Sequence, residues 1–361
     1  MNLKILWELL KETFKEWNED KASRLAAALA YYTVFSLAPL LIIVIAIAGA
    51  VFGDEAARGQ IVGQLKGLLG KDGAEVIQMA IQNASKPNSG GAIASLLNIV
   101  LLLFGASGVF GQLQESLNTV WEVAPKPGLG VKGFIRNRFL SFSMVLGIGF
   151  LLLVSLVLSA ALSVLSSFMG DLIPGIDFIW QIVNLVISFG VITLLFAMIY
   201  KILPDVKIVW SDVWIGAAIT SLLFVMGKYL IGLYLGNASV GSAYGAAGSL
   251  VVVLIWVYYS AQILFFGAEF TQVYAQKYGS QIVPAKDAVA VTEEARANQG
   301  MPSQETLESA TREQEARQAQ GNRPLENQRH RGRGGAGLAG LIQRFTGRKR
   351  SKDRRRSRRR Y

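Results

Sequence analysis

Six long apolar runs constrain how this chain can fold more than any other feature. Each is about 18 residues or longer, and about 20 helical residues cross the hydrocarbon core of a bilayer. Only 17% of the 361 residues are charged, whereas soluble domains carry about 25%. The sequence therefore predicts an all-α, polytopic membrane protein, with a bundle of six transmembrane helices within residues 25–279. The predicted spans lie near residues 26–52, 91–112, 139–167, 178–202, 212–235 and 247–272.

The Lys and Arg residues between the spans predict the orientation of the chain, because cytoplasmic loops are enriched in them. They are frequent before the first span, after the second span and in the tail. The loops after the third and fifth spans hold none, although the long first loop holds four. This bias predicts that both termini lie in the cytoplasm, and an even number of spans agrees with it.

Two segments outside the spans have the pattern of peripheral amphipathic helices. Residues 1–24 are predicted to form a cytoplasmic helix that either lies in the membrane interface or packs on the protein's own cytoplasmic face. The first loop, residues 54–90, is predicted to form two short helices on the outer surface. The apolar residues of the first helix are Leu3, Leu6, Trp7, Leu10, Phe14 and Trp17.

The tail after the last span carries almost all of the net charge. Residues 281–361 hold 19 Lys and Arg against 9 Asp and Glu, so the tail contributes +10 of the chain's net charge of +11. Its polar composition, with few aromatic residues, predicts that residues 280–361 are a disordered, basic cytoplasmic tail.

The end of this tail has the arrangement of an anchor for anionic lipid. Four apolar residues recur at helical spacing and are followed by a basic run from Arg348 onward, a combination that binds anionic lipid surfaces. The same run could bind nucleic acid or remain a solvated tail, and lipid is the favoured partner. The apolar residues are Leu338, Leu341, Ile342 and Phe345.

Hydrogen-bonding side chains and a proline interrupt the first span. On a helix, Tyr32, Ser36 and Pro39 share one face and Thr33 lies beside it. Pro39 cannot donate a backbone hydrogen bond, and such a break is tolerated where neighbouring helices satisfy the freed groups. The face is therefore predicted to look into the bundle, either as a bonding contact between helices or as part of a polar cavity lining.

Five polar residues fall near the predicted cytoplasmic ends of the spans. They suggest a polar cluster that closes or lines a vestibule, because charged groups at membrane depth are costly and usually paired. Ordinary placement at helix ends is the alternative. The five residues are Arg24, Glu115, Asn118, Asp212 and Glu269.

Glycines at short spacing flank the second and sixth spans. Small residues three or four positions apart let membrane helices approach closely. The stretch "GSAYGAAG" before the sixth span, with Gly241, Gly245 and Gly248, is therefore predicted to be a close-packing element or a hinge.

Several stretches together resemble the YihY/BrkB family of bacterial inner-membrane proteins, once labelled ribonuclease BN. The resemblance covers most of residues 1–280 and implies six membrane helices, cytoplasmic termini, a location in the bacterial inner membrane, and a role in the envelope or in transport. It brings no established catalytic residues. The stretches are "RLAAALAYYTVFSLAPLL", "FGQLQESLNTVWEV", "LPDVKIVWSDVWIGA" and "YGAAGSLVVVLIWVYYSAQILFFGAEFTQVYA".

The nuclease label finds no support in the residues themselves. Phosphodiester hydrolysis normally needs metal-binding clusters or a positioned acid and base. The chain has no Cys, and its single histidine, His330, lies in the polar tail. No catalytic, metal-binding or cofactor-binding residue is expected, and no nucleotide-binding P-loop is found. The sequence favours a protein that moves, or helps to move, a solute or lipid-like envelope molecule. A non-transporting scaffold that recruits lipid or partners through its tail is the alternative.

Overall fold

A computed structural model describes residues 3–84, 92–128, 177–237, 247–280 and 282–321, together with Ser143 and Gly147. The chain divides into two compact units, Met1–Ser303 and Gln304–Tyr361. The helices of the first unit are α1 Leu3–Glu19, α2 Ala22–Phe52, α3 Asp54–Ala84, α4 Ala92–Val120, α5 Asp177–Ile202, α6 Trp210–Asn237, α7 Gly248–Lys277 and α8 Glu293–Asn298. In the second unit the structure describes one polar helix, α9 Gln304–Gly321.

Four of the described helices are long and apolar enough to cross a membrane. The apolar stretches are Ala22–Ala50, Leu185–Ile202, Trp210–Ile231 and Leu250–Lys277, which lie on α2, α5, α6 and α7. They correspond to the first, fourth, fifth and sixth predicted spans. The second predicted span falls on α4, which is not among these four, so its crossing stays a prediction. The third, 139–167, lies outside the described residues except for Ser143 and Gly147.

The long helices pack around α2 and α7. Helix α2 contacts α3, α4 and α7, while α7 also contacts α6 and α1, and α5 packs on α6. The largest fully buried side chains include Trp121, Tyr200 and Phe265, which belong to one core cluster. Helices α2 and α6 begin at one end of the bundle, and helices α4, α5 and α7 terminate there. We call this end the polar end.

Helix α1 forms as predicted and packs on the bundle through one face. Leu9 is fully buried and lies in a cluster with Phe270 and Val273 of α7. Trp7 and Phe14 stay exposed, at 71% and 59%. The helix therefore rests on the protein itself and also presents an aromatic surface.

The predicted pair of short helices in the first loop is wrong, because α3 runs unbroken over Asp54–Ala84. Its glycines each cost about 1 kcal/mol of helix propensity. Packing offsets this cost: Ile77 and Ile81 lie in a buried cluster with Leu41 and Ile45 of α2 and Val253 of α7.

The predicted disorder does not hold for residues 282–321, which form two short strands and the helices α8 and α9. Strand β3 (Val283–Pro284) pairs antiparallel with β2 (Val206–Lys207), and β4 (Ala288–Ala290) pairs antiparallel with β1 (Val123–Pro125). We call residues 282–303 the return segment, since it folds back onto the polar end. Its composition suggested disorder because its order depends on partners far away in the sequence. Residues 322–361, with the predicted lipid anchor and basic run, lie outside the described residues.

Candidate binding cleft at the polar end

A cleft of about 730 Å³ opens at the polar end between α2, α4 and the return segment. Its charged lining residues are Asp20, Glu115, Glu122 and Arg296. Gln112, Gln114, Asn118 and Thr119 of α4 add amides and a hydroxyl. Toward the middle of α2 and α4 the lining changes to Tyr32, Gly108 and Gly111. We call this space the polar cleft.

Arg296 of α8 joins the helix ends on two sides of the polar cleft. Its Nη2 donates to Asp20 Oδ1 at 2.7 Å, and its Nη1 donates to Glu122 Oε1. The side chains of Arg296 and Asp20 are only 6% and 3% exposed. Because buried ion pairs lose hydration, breaking one side of such a pair is costly. The return segment is therefore held in place by a buried, charge-assisted contact.

The backbone around this contact adopts a left-handed conformation at two non-glycine residues. Lys21, next to Asp20, has φ of 53°, and Glu122 has φ of 52°. That region costs non-glycine residues about 1 kcal/mol or more. The backbone N–H of Val291 donates to the Glu122 carbonyl at 2.8 Å, and Lys21 donates to the Gly300 carbonyl. The return segment thus stabilises both strained turns.

The protonation of Asp20 is sensitive near neutral pH. Burial, together with the carboxylates of Glu122 and Glu16, raises the pKa of the Asp20 carboxyl to about 7 against the attraction of Arg296. Burial and the neighbouring Glu19 also raise the pKa of Glu16. Burial lowers the pKa of Arg296, but the carboxylates of Asp20 and Glu122 outweigh that effect and raise it. Several carboxyl groups therefore share one guanidinium.

A second polar network ties α4 to the loop after α5. Asn118 Nδ2 donates to Asp205 Oδ2 at 3.0 Å, and the Asp205 backbone N–H donates to Asn118 Oδ1 at 2.8 Å. Gln114 Nε2 donates to the same carboxylate oxygen at 3.3 Å. The Asp205 carbonyl accepts from the backbone N–H of Ala285 at 2.8 Å. This network fixes another wall of the cleft to the return segment.

The face of α2 that carries Tyr32, Ser36 and Pro39 lies against α4. Ser36 Oγ donates to the Gly105 carbonyl at 2.7 Å, and a Cβ on Gly105 would lie 3.2 Å from Pro39 Cγ. Thr33 Oγ1 donates to the Leu29 carbonyl of its own helix at 2.7 Å. Tyr32 lines the polar cleft. Both alternatives for this face occur side by side: Ser36 and Pro39 contact the neighbouring helix, while Tyr32 faces the cavity.

The five residues of the predicted polar cluster occupy different environments. Glu115 and Asn118 both line the polar cleft. Arg24 is exposed at the start of α2. Glu269 is completely buried on α7, and neither carboxylate oxygen has a hydrogen-bond partner among the described residues.

Asp212, the remaining member, lies at the start of α6 and binds the end of the last span. Its Oδ2 accepts from the backbone N–H of Ser280 at 2.8 Å and from Ser280 Oγ at 2.9 Å. Asp212 therefore orients the chain as it leaves α7 and enters the return segment.

Sequence reasoning missed the residues that hold the cleft together, namely Asp20, Gln114, Glu122, Asp205 and Arg296. Four of these residues are polar groups at helix ends or in loops, where polar residues are common. One local signal was available for the α8 helix: the Thr292 hydroxyl accepts from the backbone N–H of Ala295, as an N-cap does. That cap followed by two glutamates predicts a helix that would have carried Arg296.

The tightest glycine contacts lie between α6 and α7. Gly216 faces Thr271 and Gly267 faces Thr220, and an added Cβ at either glycine would overlap the threonine. Thr220 Oγ1 donates to the Gly216 carbonyl at 2.7 Å, and Thr271 Oγ1 donates to the Gly267 carbonyl at 2.6 Å. Tyr200 Oη adds a bond to the Leu264 carbonyl at 2.7 Å. We call this reciprocal contact the α6–α7 seam.

The glycines predicted as a hinge are described only in part. Gly248 is the buried first residue of α7, while Gly241 and Gly245 lie outside the described residues. Within the part of the chain that the structure describes, no three His, Asp or Glu side chains come together as a metal site.

The sequence of this chain is similar to those of several known proteins. The family model for Virulence factor BrkB matches residues 13–292. A UPF0761 membrane protein of Teredinibacter turnerae is 26% identical over 80% of this chain and 65% of its own length. Another from a Psychrobacter species is 27% identical over 74% of this chain and 48% of its own. The protein YfkH of Bacillus subtilis, named as ribonuclease-like, is 22% identical over 72% of this chain and 92% of its own.

The chain spans less than two thirds of the length of the first two of these relatives. No solved structure matches it.

Proposed function

This chain belongs to the BrkB family of membrane proteins, as its sequence motifs predicted, and on that premise we propose that it moves an amphipathic, lipid-like envelope molecule. We place it in the bacterial inner membrane with both termini in the cytoplasm, so that the polar end faces the cytoplasm. The single observation that carries this proposal is the polar cleft, which extends from charged side chains at the helix ends to Tyr32 and Gly108 within the membrane helices.

The position of Tyr32 supports an amphipathic ligand over a fully polar one. Tyr32 lies ten residues into α2, which is about 15 Å along the helix axis at 1.5 Å per residue. Large apolar side chains of the two helices that border the cleft, Phe35 on α2 and Phe104 on α4, are 65% and 57% exposed. A molecule with its head group among the charged residues could therefore extend its apolar part along the exposed helix surface.

The charges in the cleft favour a head group that carries a cation. Three carboxyl groups, those of Asp20, Glu115 and Glu122, line the cleft together with a single guanidinium, that of Arg296. Two of the three already bind Arg296, which leaves Glu115 at the exposed rim. An ammonium group would complement this excess of acid, whereas a purely anionic head group would be repelled.

The test reconstitutes the purified full-length protein in proteoliposomes and measures movement of fluorescently labelled phosphatidylethanolamine between leaflets. Labelled phosphatidylglycerol is the anionic comparison. Gly111 lines the cleft, and a Cβ added there has nothing within 4 Å, so Gly111→Trp should place its ring in the cleft. We expect this variant to abolish the movement that the wild-type protein accelerates.

Gly190 supplies a matched control for that variant, because it is an exposed helical glycine on α5 with equally open space. Gly190→Trp should move lipid at the wild-type rate. Equal movement by the wild type and Gly111→Trp would refute the role of the cleft. Failure of the wild type to accelerate either lipid would refute lipid movement altogether.

A non-transporting scaffold is the second candidate, and it is favoured by the division of the chain into two units. The useful deletion begins at residue 304, because a deletion from residue 281 would also remove Arg296 and a wall of the cleft. A scaffold that recruits partners or anionic lipid through its tail should lose its cellular phenotype on loss of 304–361. A transporter should keep its phenotype without 304–361 and lose it in Gly111→Trp.

We also propose that the chain is not a nuclease, although one relative is named as ribonuclease-like. The carboxyl groups of the polar cleft are bound to Arg296 or lie singly, which does not favour phosphodiester hydrolysis. Purified protein incubated with tRNA and Mg²⁺ should leave the RNA intact. Cleavage that disappears in Glu115→Gln or Glu122→Gln would contradict this proposal.

A further inference from the structure

Glu269 is a completely buried carboxyl group inside the candidate span of α7. Its exposure is 0%, and neither Oε1 nor Oε2 has a hydrogen-bond partner among the described residues. An isolated buried carboxylate loses its hydration without replacement, and this cost is high enough that such groups are retained mainly for function in membrane proteins. The polar cleft does not include this residue, so its role needs a separate explanation.

The charged groups around Glu269 do not neutralise it. They are Glu16 of α1, Asp20 in the turn after α1, Glu122 after α4, and Arg296 of α8. Both Nη atoms of Arg296 are already bound to Asp20 and Glu122, and its Nε makes no hydrogen bond among the described residues. Three carboxyl groups and one committed cation therefore surround a fourth carboxyl group.

A second unpaired acceptor lies one turn further along the same face of α7. Gln272 is only 3% exposed, and its Oε1 has no hydrogen-bond partner among the described residues. Residues three positions apart on a helix are neighbours. The side chain of Gln262, two turns before Glu269, also has a buried Oε1 without a described partner. Acceptor oxygens thus accumulate along this face without matching donors.

We propose that Glu269, with Gln272 as its hydrogen-bond acceptor, is a proton-binding site that couples movement through the polar cleft to the proton gradient. A proton on Glu269 converts one of its oxygens into a donor, which can then bind the Gln272 carbonyl oxygen. The bound proton also removes a fourth negative charge from the cluster around Arg296. The coupling rests on the function proposed above, whereas the proton site itself does not.

Asp20 provides the connection between this site and the polar cleft. It lines the cleft and is also among the groups that interact electrostatically with Glu269. In the transfer step, the O–H bond of a protonated Asp20 breaks and an O–H bond forms on the Glu269 carboxylate, with water carrying the proton between them. Asp20 then regains a proton from a hydronium ion in the cleft, which becomes water. Its pKa of about 7 lets it load and release protons at neutral pH.

The first experiment detects the proton without any transport assay. Infrared difference spectra of the reconstituted full-length protein are recorded at about pH 7, where a protonated buried carboxyl group gives a C=O band that shifts in D₂O. Because Asp20 is a second buried carboxyl group with a raised pKa, the spectra are compared in the Asp20→Asn background. We expect the band in Asp20→Asn and its loss when Glu269→Gln is added. Glu305→Gln, an exposed substitution on α9, is the matched control and should keep the band.

Gln272→Leu guards against a Glu269→Gln variant that fails to fold. In the same Asp20→Asn background, loss of the acceptor at residue 272 should move the band to higher frequency without removing it. Absence of the band from Asp20→Asn between about pH 5 and pH 9 would overturn the proton site. A band that persists when folded protein also carries Glu269→Gln, or that Gln272→Leu leaves unshifted, would overturn the assignment to these two residues.

The second experiment tests coupling with labelled phosphatidylethanolamine in proteoliposomes. With one proton moved per lipid, a gradient of one pH unit supports up to about tenfold asymmetry between leaflets. We expect asymmetry in the wild type and none in Glu269→Gln, which should still equilibrate the lipid. Asymmetry that follows a Na⁺ gradient but no pH gradient would overturn proton coupling.

The two experiments separate this inference from the proposed function. A Glu269 band in a protein that moves no lipid would leave the proton site standing and refute the transport proposal. If Gly111→Trp blocks lipid movement in a protein that lacks the Glu269 band, the transport proposal stands and the proton site is refuted.

Discussion

Glycines on neighbouring helices allow close helix contact in one region of this molecule and leave open space in another. In the α6–α7 seam, Gly216 and Gly267 are each covered by a threonine of the facing helix, and both threonine hydroxyls bind backbone carbonyls. Between α2 and α4, Gly111 lines an open cleft, and nothing lies within 4 Å of a Cβ added there. The same residue type therefore closes one helix contact and leaves space in the other.

The difference lies in what stands opposite each glycine. A short, branched threonine fills the groove over a glycine and binds within its own helix, so the two helices of the seam approach without unpaired polar atoms. Gly111 of α4 instead shares the lining of the cleft with the larger Tyr32 and the return segment, which enclose space without filling it. The seam is suited to holding the bundle together, and the cleft to receiving a ligand.

Removal of the Arg296 charge, which holds the return segment at the cleft, should have the largest effect on the stability of the protein. Arg296→Ala leaves Asp20 buried without its cation, and we expect a loss of about 3 kcal/mol in the free energy of unfolding, at the low end for a broken buried pair because Asp20 can take up a proton. Thermal unfolding in detergent measures this loss. The control is Arg312→Ala, whose ion pair is 80% exposed on the Arg side and should contribute almost nothing. Equal stability of the two variants would show that the return segment is not held by Arg296.

The cleft, unlike the seam, should respond to pH. Because the pKa of Asp20 is raised to about 7 in the folded protein, the folded state binds the proton more tightly than the unfolded state, whose Asp pKa is about 3.9. The stabilisation is fully present below about pH 4 and is lost as the pH rises through about 7, with a change of about 2 kcal/mol between pH 5 and pH 7. Unfolding curves of the wild type and Asp20→Asn measure it. The same pH profile in both proteins would assign the effect to other groups.

Single methyl groups should distinguish the seam from the cleft. Gly267→Ala forces a Cβ into Thr220 and should destabilise the protein by about 1–3 kcal/mol, as overpacked cores do. Gly111→Ala meets no atom and should stabilise α4 by up to about 1 kcal/mol through helix propensity. Both are read from apparent Tm values in the same detergent. A stabilising Gly267→Ala would mean that the seam is looser than the structure shows.

The smallest effect should come from the hydroxyl that links α2 to α4 beside the cleft. Ser36→Ala removes the hydrogen bond to the Gly105 carbonyl, and such bonds between membrane helices contribute about 0.6 kcal/mol on average. Thr33→Val is the matched change, because the Thr33 hydroxyl binds within its own helix, and it should leave the apparent Tm nearly unchanged. Identical melting of Ser36→Ala and the wild type would show that this bond does not hold the helices together.

The sequence predicted those parts of the fold that depend on local apolarity. The first, fourth, fifth and sixth spans were found because each apolar run is visible without knowledge of its neighbours. Tyr32 and Ser36 were found for the same reason, as polar groups within such a run. The single helix α3 was missed because two short amphipathic stretches within it suggested separate helices, whereas packing against α2 and α7 stabilises one.

The site depends on contacts between distant residues, which no local pattern reveals. Arg296 binds Asp20, which lies 276 positions earlier, and Glu122, which lies 174 positions earlier. Read alone, Arg296 is one basic residue in a polar tail. Sequence also could not separate Gly267 from Gly111, because only the residue opposite each glycine decides whether the space between the helices closes.

The strand pairs of the return segment mean that the polar cleft can be completed only after the last span has been synthesised. Among the described residues, strands β1 and β2 receive their partners from residues 283–290, which the ribosome adds after the last span has been synthesised. A nascent chain that has already inserted all its apolar helices still lacks one wall of its cleft and the cation that binds Asp20. A premature stop codon between residues 280 and 283 would thus yield a protein that is inserted but unfinished, with two bare strand edges available to quality-control proteases.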